Sequence, residues 1–337
     1  MTRRPATRRL VLFTAVGLLA LGLALAGCAQ KPPTSPGATT VGQSIRNAAD
    51  VALAVRVQEA NTADLMRRPG VLGTGVGATA EGQPAILVLT ETEARFDLPR
   101  ELDGVKVERR VVGKVVAYAK PGGGGTLQMG TSTGNDLECS AGTLGCVVAK
   151  GGTRYFLSNN HVFARENAGR TGERIDAPGR YDGKPRCART AQCGTLADFQ
   201  PISFSGNNTI DAALALPVAG RDYTCAEAGG YTPSATVVAP SVGLAVKKTG
   251  RTSKLTTGTI QAINVTIRVQ YSSGIATFVN QIMTPGSFQR SGDSGSLMVT
   301  QSGNNPVGLC FAGGSGGSFA NPIGDVLQKF AATVCDQ

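Results

Sequence analysis

The sequence predicts a mainly β protein with a small α+β unit in front. Three observations carry this. Between residues 138 and 337, short apolar runs alternate with turn-rich segments. Glycine is abundant, with 45 in 337 residues, and tryptophan is absent. Sustained helical spacing occurs in few places, chiefly near residues 44–68 and at the C-terminal end.

The first residues read as a targeting segment. Arg3, Arg4, Arg8 and Arg9 precede an apolar stretch from Leu10 to Ala26, followed by Leu25-Ala26-Gly27-Cys28. The last four residues resemble the lipobox of bacterial lipoproteins, which implies lipid on Cys28 and removal of residues 1–27. A retained transmembrane anchor is the alternative, since the run is near the lower limit for a span. Arg8-Arg9-Leu10-Val11 also loosely resembles a twin-arginine signal.

Residues 28–43 are rich in proline, threonine and glycine and read as a tether. Ser44 to Arg68 follows with helical spacing of Ile45, Ala49, Ala52, Leu53, Val57, Ala60 and Leu65, closed by Pro69-Gly70. Strands are expected at Val71–Val76, Pro84–Thr90, Val105–Arg110 and Val115–Ala119. Residues 44–120 thus form an accessory or pro-domain. The glycine run at 122–125 opens a linker over 121–137, the place expected for proteolytic separation. Residues 138–337 form the second domain, with strands expected at Gly145–Lys150, Tyr155–Ser158, Ala212–Pro217, Thr259–Val269 and Ser296–Thr300. A closing helix is expected over Pro322–Val334.

Of the net charge of +10, four charges sit in residues 1–27, leaving +6 on the mature chain. That positive charge is scattered and not interleaved with aromatics, so nucleic acid is not an expected partner. Seven cysteines besides Cys28 agree with export, and their odd number leaves at least one unpaired. Cys187–Cys193 is the first expected pair and Cys310–Cys335 a second. One histidine and these spacings make no metal site, and no cofactor is expected.

Three stretches carry the chemistry. In Arg290-Ser291-Gly292-Asp293-Ser294-Gly295-Ser296 a serine stands between glycine-flanked backbone N–H groups. Such a turn presents a bare hydroxyl beside potential oxyanion donors. Leu157-Ser158-Asn159-Asn160-His161 holds the only histidine, hence the only ordinary general base for that serine. Thr209-Ile210-Asp211 sets an aspartate at the head of an apolar run. The order His, Asp, Ser is a known triad order. Together these stretches resemble the trypsin-like, chymotrypsin-fold serine proteases, in a bacterial branch.

The resemblance covers residues 139–337 and implies two packed antiparallel β-barrels with the site between them. It implies His161, Asp211 and Ser294 as catalytic residues and the N–H groups of Gly292 and Ser294 as the oxyanion hole. Val246 to Ser253, followed by Gly258-Thr259-Ile260, resembles a segment whose arginine pairs with the aspartate before the nucleophile, which implies an Arg251–Asp293 ion pair. The residue six before the nucleophile is Phe288, beside Ser287. As specificity-pocket candidates they imply an apolar or small preferred residue. The usual final glycine of the nucleophile motif is Ser296 here. The expected protein is an exported, lipid-anchored serine endopeptidase of the bacterial envelope acting on protein or peptide substrates. The alternative is a protease-fold binding or scaffold module.

Overall fold

The computed structural model describes residues 48–93, 97–117 and 126–335. The leader, Cys28, the tether and the core of the glycine run lie outside these. Helix α1 (Ala48–Met66) is followed by β1 (Val71–Ala78), β2 (Pro84–Thr90), β3 (Val105–Val111) and the two-residue β4 (Val116–Ala117). Then come β5 (Cys146–Lys150), β6 (Thr153–Ser158), the one-turn α2 (Asn160–Phe163), β7 (Gln192–Phe199) and β8 (Ala213–Pro217). The last third holds β9 (Ala245–Gly250), β10 (Lys254–Thr259), β11 (Ala262–Gln270), β12 (Ile275–Thr284), β13 (Leu297–Thr300), β14 (Pro306–Gly314), β15 (Gly317–Pro322) and helix α3 (Ile323–Phe330).

The mostly β expectation holds, with a small helical N-terminal part. The strands divide between two main sheets. One contains β5, β6, β8 and β7 in that order. The larger sheet runs β10-β9-β13-β14-β15-β12-β11 and continues without a break into β1-β2-β3. The first strand therefore belongs to the C-terminal sheet: Gly73 opposes Ile267 and Val76 opposes Ile263, antiparallel.

The residues of β1 make that junction possible. A Cβ at Gly73 would lie 2.2 Å from the Thr266 carbonyl, and one at Gly75 would lie 2.7 Å from a Val265 methyl. Helix α1 covers the outer face through Ala54, Val57, Leu65 and Met66 against Val76, Ile86 and Val88. Gln58 is buried in this seam and donates to Thr74 Oγ1 at 2.8 Å. Asn264 on β11 donates to Gln58 Oε1 at 3.1 Å, so a polar chain threads helix, β1 and β11.

Between the two main sheets lies a core of Leu157, Leu214, Leu297, Val299 and Leu309, closed by α3 through Ile323, Val326, Leu327 and Phe330. Each of those helix side chains contributes about 1.5–3 kcal/mol by leaving water. The cysteine pairing differs from expectation. Cys139 bonds Cys187, and Cys225 bonds Cys335. Cys146, Cys193 and Cys310 are buried free thiols. Cys193 and Cys310 are pushed up to about 12 by burial, so both are poor nucleophiles. Sequence proximity misled here, because Cys193 faces the core of its sheet while Cys187 sits in a loop that reaches Cys139.

Candidate active site

Strand register brings the histidine and aspartate together. β6 and β8 are antiparallel, with Ser158 opposite Ala213. The chain leaving β6 therefore lies beside the chain entering β8. His161 follows the first end by three residues and Asp211 precedes the second by two. Asn159 fixes this crossing by donating from Nδ2 to the Asp211 carbonyl at 2.6 Å.

The Asp211 carboxylate is fully buried, and the His161 side chain is 8% exposed. Oδ2 lies 2.5 Å from His161 Nδ1, and Oδ1 accepts the His161 backbone N–H at 3.2 Å. Tyr271, from the end of β11, donates its hydroxyl to Oδ2 at 2.8 Å. Asn321 on β15 accepts the Asp211 N–H at 3.0 Å. A charge-assisted bond to Nδ1 orients the imidazole and leaves Nε2 to exchange protons with a partner.

Ser294 lies on the turn before β13, where Gly292 and Gly295 have φ of 101° and 96°. The turn is clasped from the other sheet. The buried Thr143 spans it: its N–H donates to the Ser294 carbonyl at 2.7 Å and its hydroxyl to the Gly292 carbonyl at 2.7 Å. Gly295 seats directly on the end of β6, since a Cβ there would meet Ser158 Oγ at 2.2 Å. Ser294 is thereby held against the strand that delivers His161. Its Oγ donates to the Phe311 carbonyl at 3.1 Å, while His161 Nε2 is buried without a hydrogen-bond partner among the described residues. Ser294 Oγ and His161 Nε2 are therefore not hydrogen-bonded to each other.

The carboxylate of Asp293 is buried behind the turn. It accepts from the backbone N–H groups of Thr252, Ser253 and Arg290 and from Lys248 Nζ at 3.1 Å. The expected Arg251–Asp293 ion pair is replaced. The Arg251 guanidinium turns to Asp182, with Nη2–Oδ1 at 2.9 Å, and Lys248 takes Asp293. Lys248 and Gly250 share a strand face by the two-residue period of β9, so the lysine enters the same buried space. Burial lowers the Lys248 pKa, opposed by the charge of Asp293. Ser296 fits its position by donating to the Asp293 carbonyl at 2.5 Å.

Phe288 is buried among Val246, Ile260, Ile282, Met298 and Val307, and Ser287 beside it is exposed. Sequence reasoning missed Tyr271, Asn159, Thr143 and Lys248. Asn159 stands within the histidine stretch and Lys248 within the Val246 to Ser253 stretch, whereas Tyr271 and Thr143 carried no local signal. Among the described residues no cluster of metal-ligating side chains occurs.

No family model matches the chain. It is 26% identical over 285 residues to Serine protease 1 of Streptomyces fradiae, covering 82% of this chain and 71% of that protein. It is similar to the solved structure of Cellulomonas bogoriensis chymotrypsin, at 23% identity, TM-score 0.44, 63% of this chain and 99% of that one. The structure of Thermobifida fusca protease A is similar at 22% identity, TM-score 0.44, 63% of this chain and 99% of that one.

Proposed function

We propose that this chain is an exported serine endopeptidase that works through an acyl-enzyme, with Ser294 as nucleophile, His161 as general base and acid, and Asp211 as the group that orients it. The observation that carries this reading is the buried 2.5 Å His161–Asp211 contact beside a glycine-flanked Ser294. The likeness to a named serine protease over most of the chain supports it. In the reaction Ser294 Oγ leaves the Phe311 carbonyl and gives its proton to His161 Nε2 as it attacks the peptide carbonyl. The N–H groups of Gly292 and Ser294 receive the developing oxyanion. Collapse breaks the C–N bond, and His161 returns the proton to the leaving amine. Water, deprotonated by His161, then frees Ser294 and the acid product. Specificity set by Ser287 and Phe288 stays part of this reading.

The two disulfides support an extracytoplasmic location. No helix among the described residues is long and apolar enough to cross a membrane. The sequence at Cys28 supports a lipid anchor in the bacterial envelope. The unit of residues 44–120 acts in this reading as a built-in occupant of the cleft. Support comes from β4, whose Val116 and Ala117 oppose Gly313 and Ala312 on β14, antiparallel and next to Phe311. Val112 and Val115 are buried in one core with Phe311 and Tyr271. The scaffold alternative draws on the unformed Ser294–His161 bond. A fluorophosphonate, applied to the purified chain after cleavage in the glycine run, separates the two. An adduct on Ser294, located by peptide mass spectrometry and lost in His161→Ala, is expected. A folded, cleaved sample with no adduct overturns the enzyme reading.

A further inference from the structure

The Asp211 carboxylate has an incomplete set of donors if only the histidine stretch is counted. Both of those donors, the ring Nδ1 and the backbone N–H, belong to His161 itself. A carboxylate offers about four acceptor sites, and a buried one needs donors that fix its plane independently of the group it serves. Tyr271 is the one side chain outside the histidine stretch that donates to this carboxylate among the described residues. It comes from the larger sheet, whereas His161 and Asp211 flank β6 and β8 of the other.

Tyr271 is itself held firmly. It is 3% exposed, its N–H donates to the Gly274 carbonyl at 2.8 Å, and its ring meets Phe204, Phe278 and His161. The hairpin tip it begins is pinned by Glu166, from the chain just after α2. The Glu166 carboxylate accepts from Ser272 N–H, Ser272 Oγ and Ser273 N–H at 3.1, 2.7 and 2.8 Å. Burial pushes the Glu166 carboxyl up, but the bonds from Ser273 and Ser272 outweigh it and hold the pKa below the usual value. Burial and the neighbouring Asp211 raise the Tyr271 phenol well above its ordinary pKa, so it stays a donor.

We infer that Tyr271 is a positioning residue for the proposed reaction: its hydroxyl, carried on a hairpin tip anchored by Glu166, sets the plane of the Asp211 carboxylate and through it the aim of His161. The inference rests on the endopeptidase reading above. The Tyr271 hydroxyl bonds Asp211 and not the nucleophile, so removing it is expected to slow chemistry without weakening substrate binding.

The test is steady-state kinetics on cleaved enzyme, normalised to active sites by fluorophosphonate labelling of Ser294. In Tyr271→Phe, kcat falls roughly 10- to 100-fold, the scale of a lost hydrogen bond to a charged group, with KM unchanged. A packing role would instead lower the labelled fraction or the melting temperature and leave kcat per labelled site intact. Asp211→Asn provides the second comparison: Tyr271→Phe added to it costs little further, because the carboxylate it steadied is gone. Full kcat per site in Tyr271→Phe, or additive losses in the double variant, overturns the inference. Failure of the parent enzyme to label at all overturns the endopeptidase reading instead.

Discussion

At the scale of single residues, the two buried cations near the nucleophile turn have different duties. Lys248 touches Asp293, whereas Arg251 serves Asp182. Breaking either buried pair costs about 3–5 kcal/mol of stability. Lys248→Met is expected to slow Ser294 labelling more than Arg251→Met, read as the second-order rate on folded protein. Equal slowing would return Arg251 to the turn. A second residue, Glu227, is 1% exposed, and neither carboxylate oxygen has a hydrogen-bond partner among the described residues. Burial raises its pKa well above the ordinary carboxyl value, with Lys248 opposing. The folded state thus binds the Glu227 proton more tightly than the unfolded chain. The stability from this protonation is complete below the unfolded pKa of about 4.3 and is lost as pH rises through the folded one. Glu227→Gln should therefore raise the melting temperature at pH 8, by about 2–4 °C per kcal/mol, and change it little at pH 4. Thermal denaturation at the two pH values decides. His161, the chain's one histidine, was paired with Asp211 from the sequence, and the two are in contact in the structure. Tyr271 was not legible, because Tyr-Ser-Ser-Gly reads as an ordinary turn until β11 carries it to Asp211.

At the scale of elements, local pattern located the strands well. The expected runs at Gly145–Lys150, Tyr155–Ser158, Ala212–Pro217 and Ser296–Thr300 fall on β5, β6, β8 and β13. Pairing was not legible, since register depends on partners distant in sequence. The exchange of Arg251 for Lys248 has that origin: the arginine's partner, Asp182, lies in a Tyr-Asp-Gly turn that gives no sign of its contact. The glycines of β1 were read as strand residues, and their close approach to β11 emerged only in three dimensions. Gly73→Ala puts a methyl group against the Thr266 carbonyl. It should destabilise that junction by about 1–3 kcal/mol, seen as faster amide exchange in residues 71–78 than in β13. Unchanged exchange would mean that β1 adjusts freely.

At the scale of the whole molecule, all described residues fall within one compact unit, residues 40–337. Composition suggested a separate unit before the glycine run; the strands of that stretch instead continue the C-terminal sheet, because hydrogen bonds between backbones leave little trace in side-chain pattern. With β4 beside Phe311, cleavage in the glycine run followed by removal of the first unit should raise the fluorophosphonate labelling rate at Ser294. Intact chain from Cys28 to Gln337 that labels equally fast would show that release is not required. The junction between β1 and β11 has a further meaning for such a released fragment. β11 would become the outermost strand of its sheet, with the backbone groups that now pair with β1 left open and Val265, Ile267 and Val269 alternating along it. An open strand edge of that kind invites a second chain. If the first unit is released, the freed chain should therefore self-associate more than the intact one, which sedimentation of the two species would show.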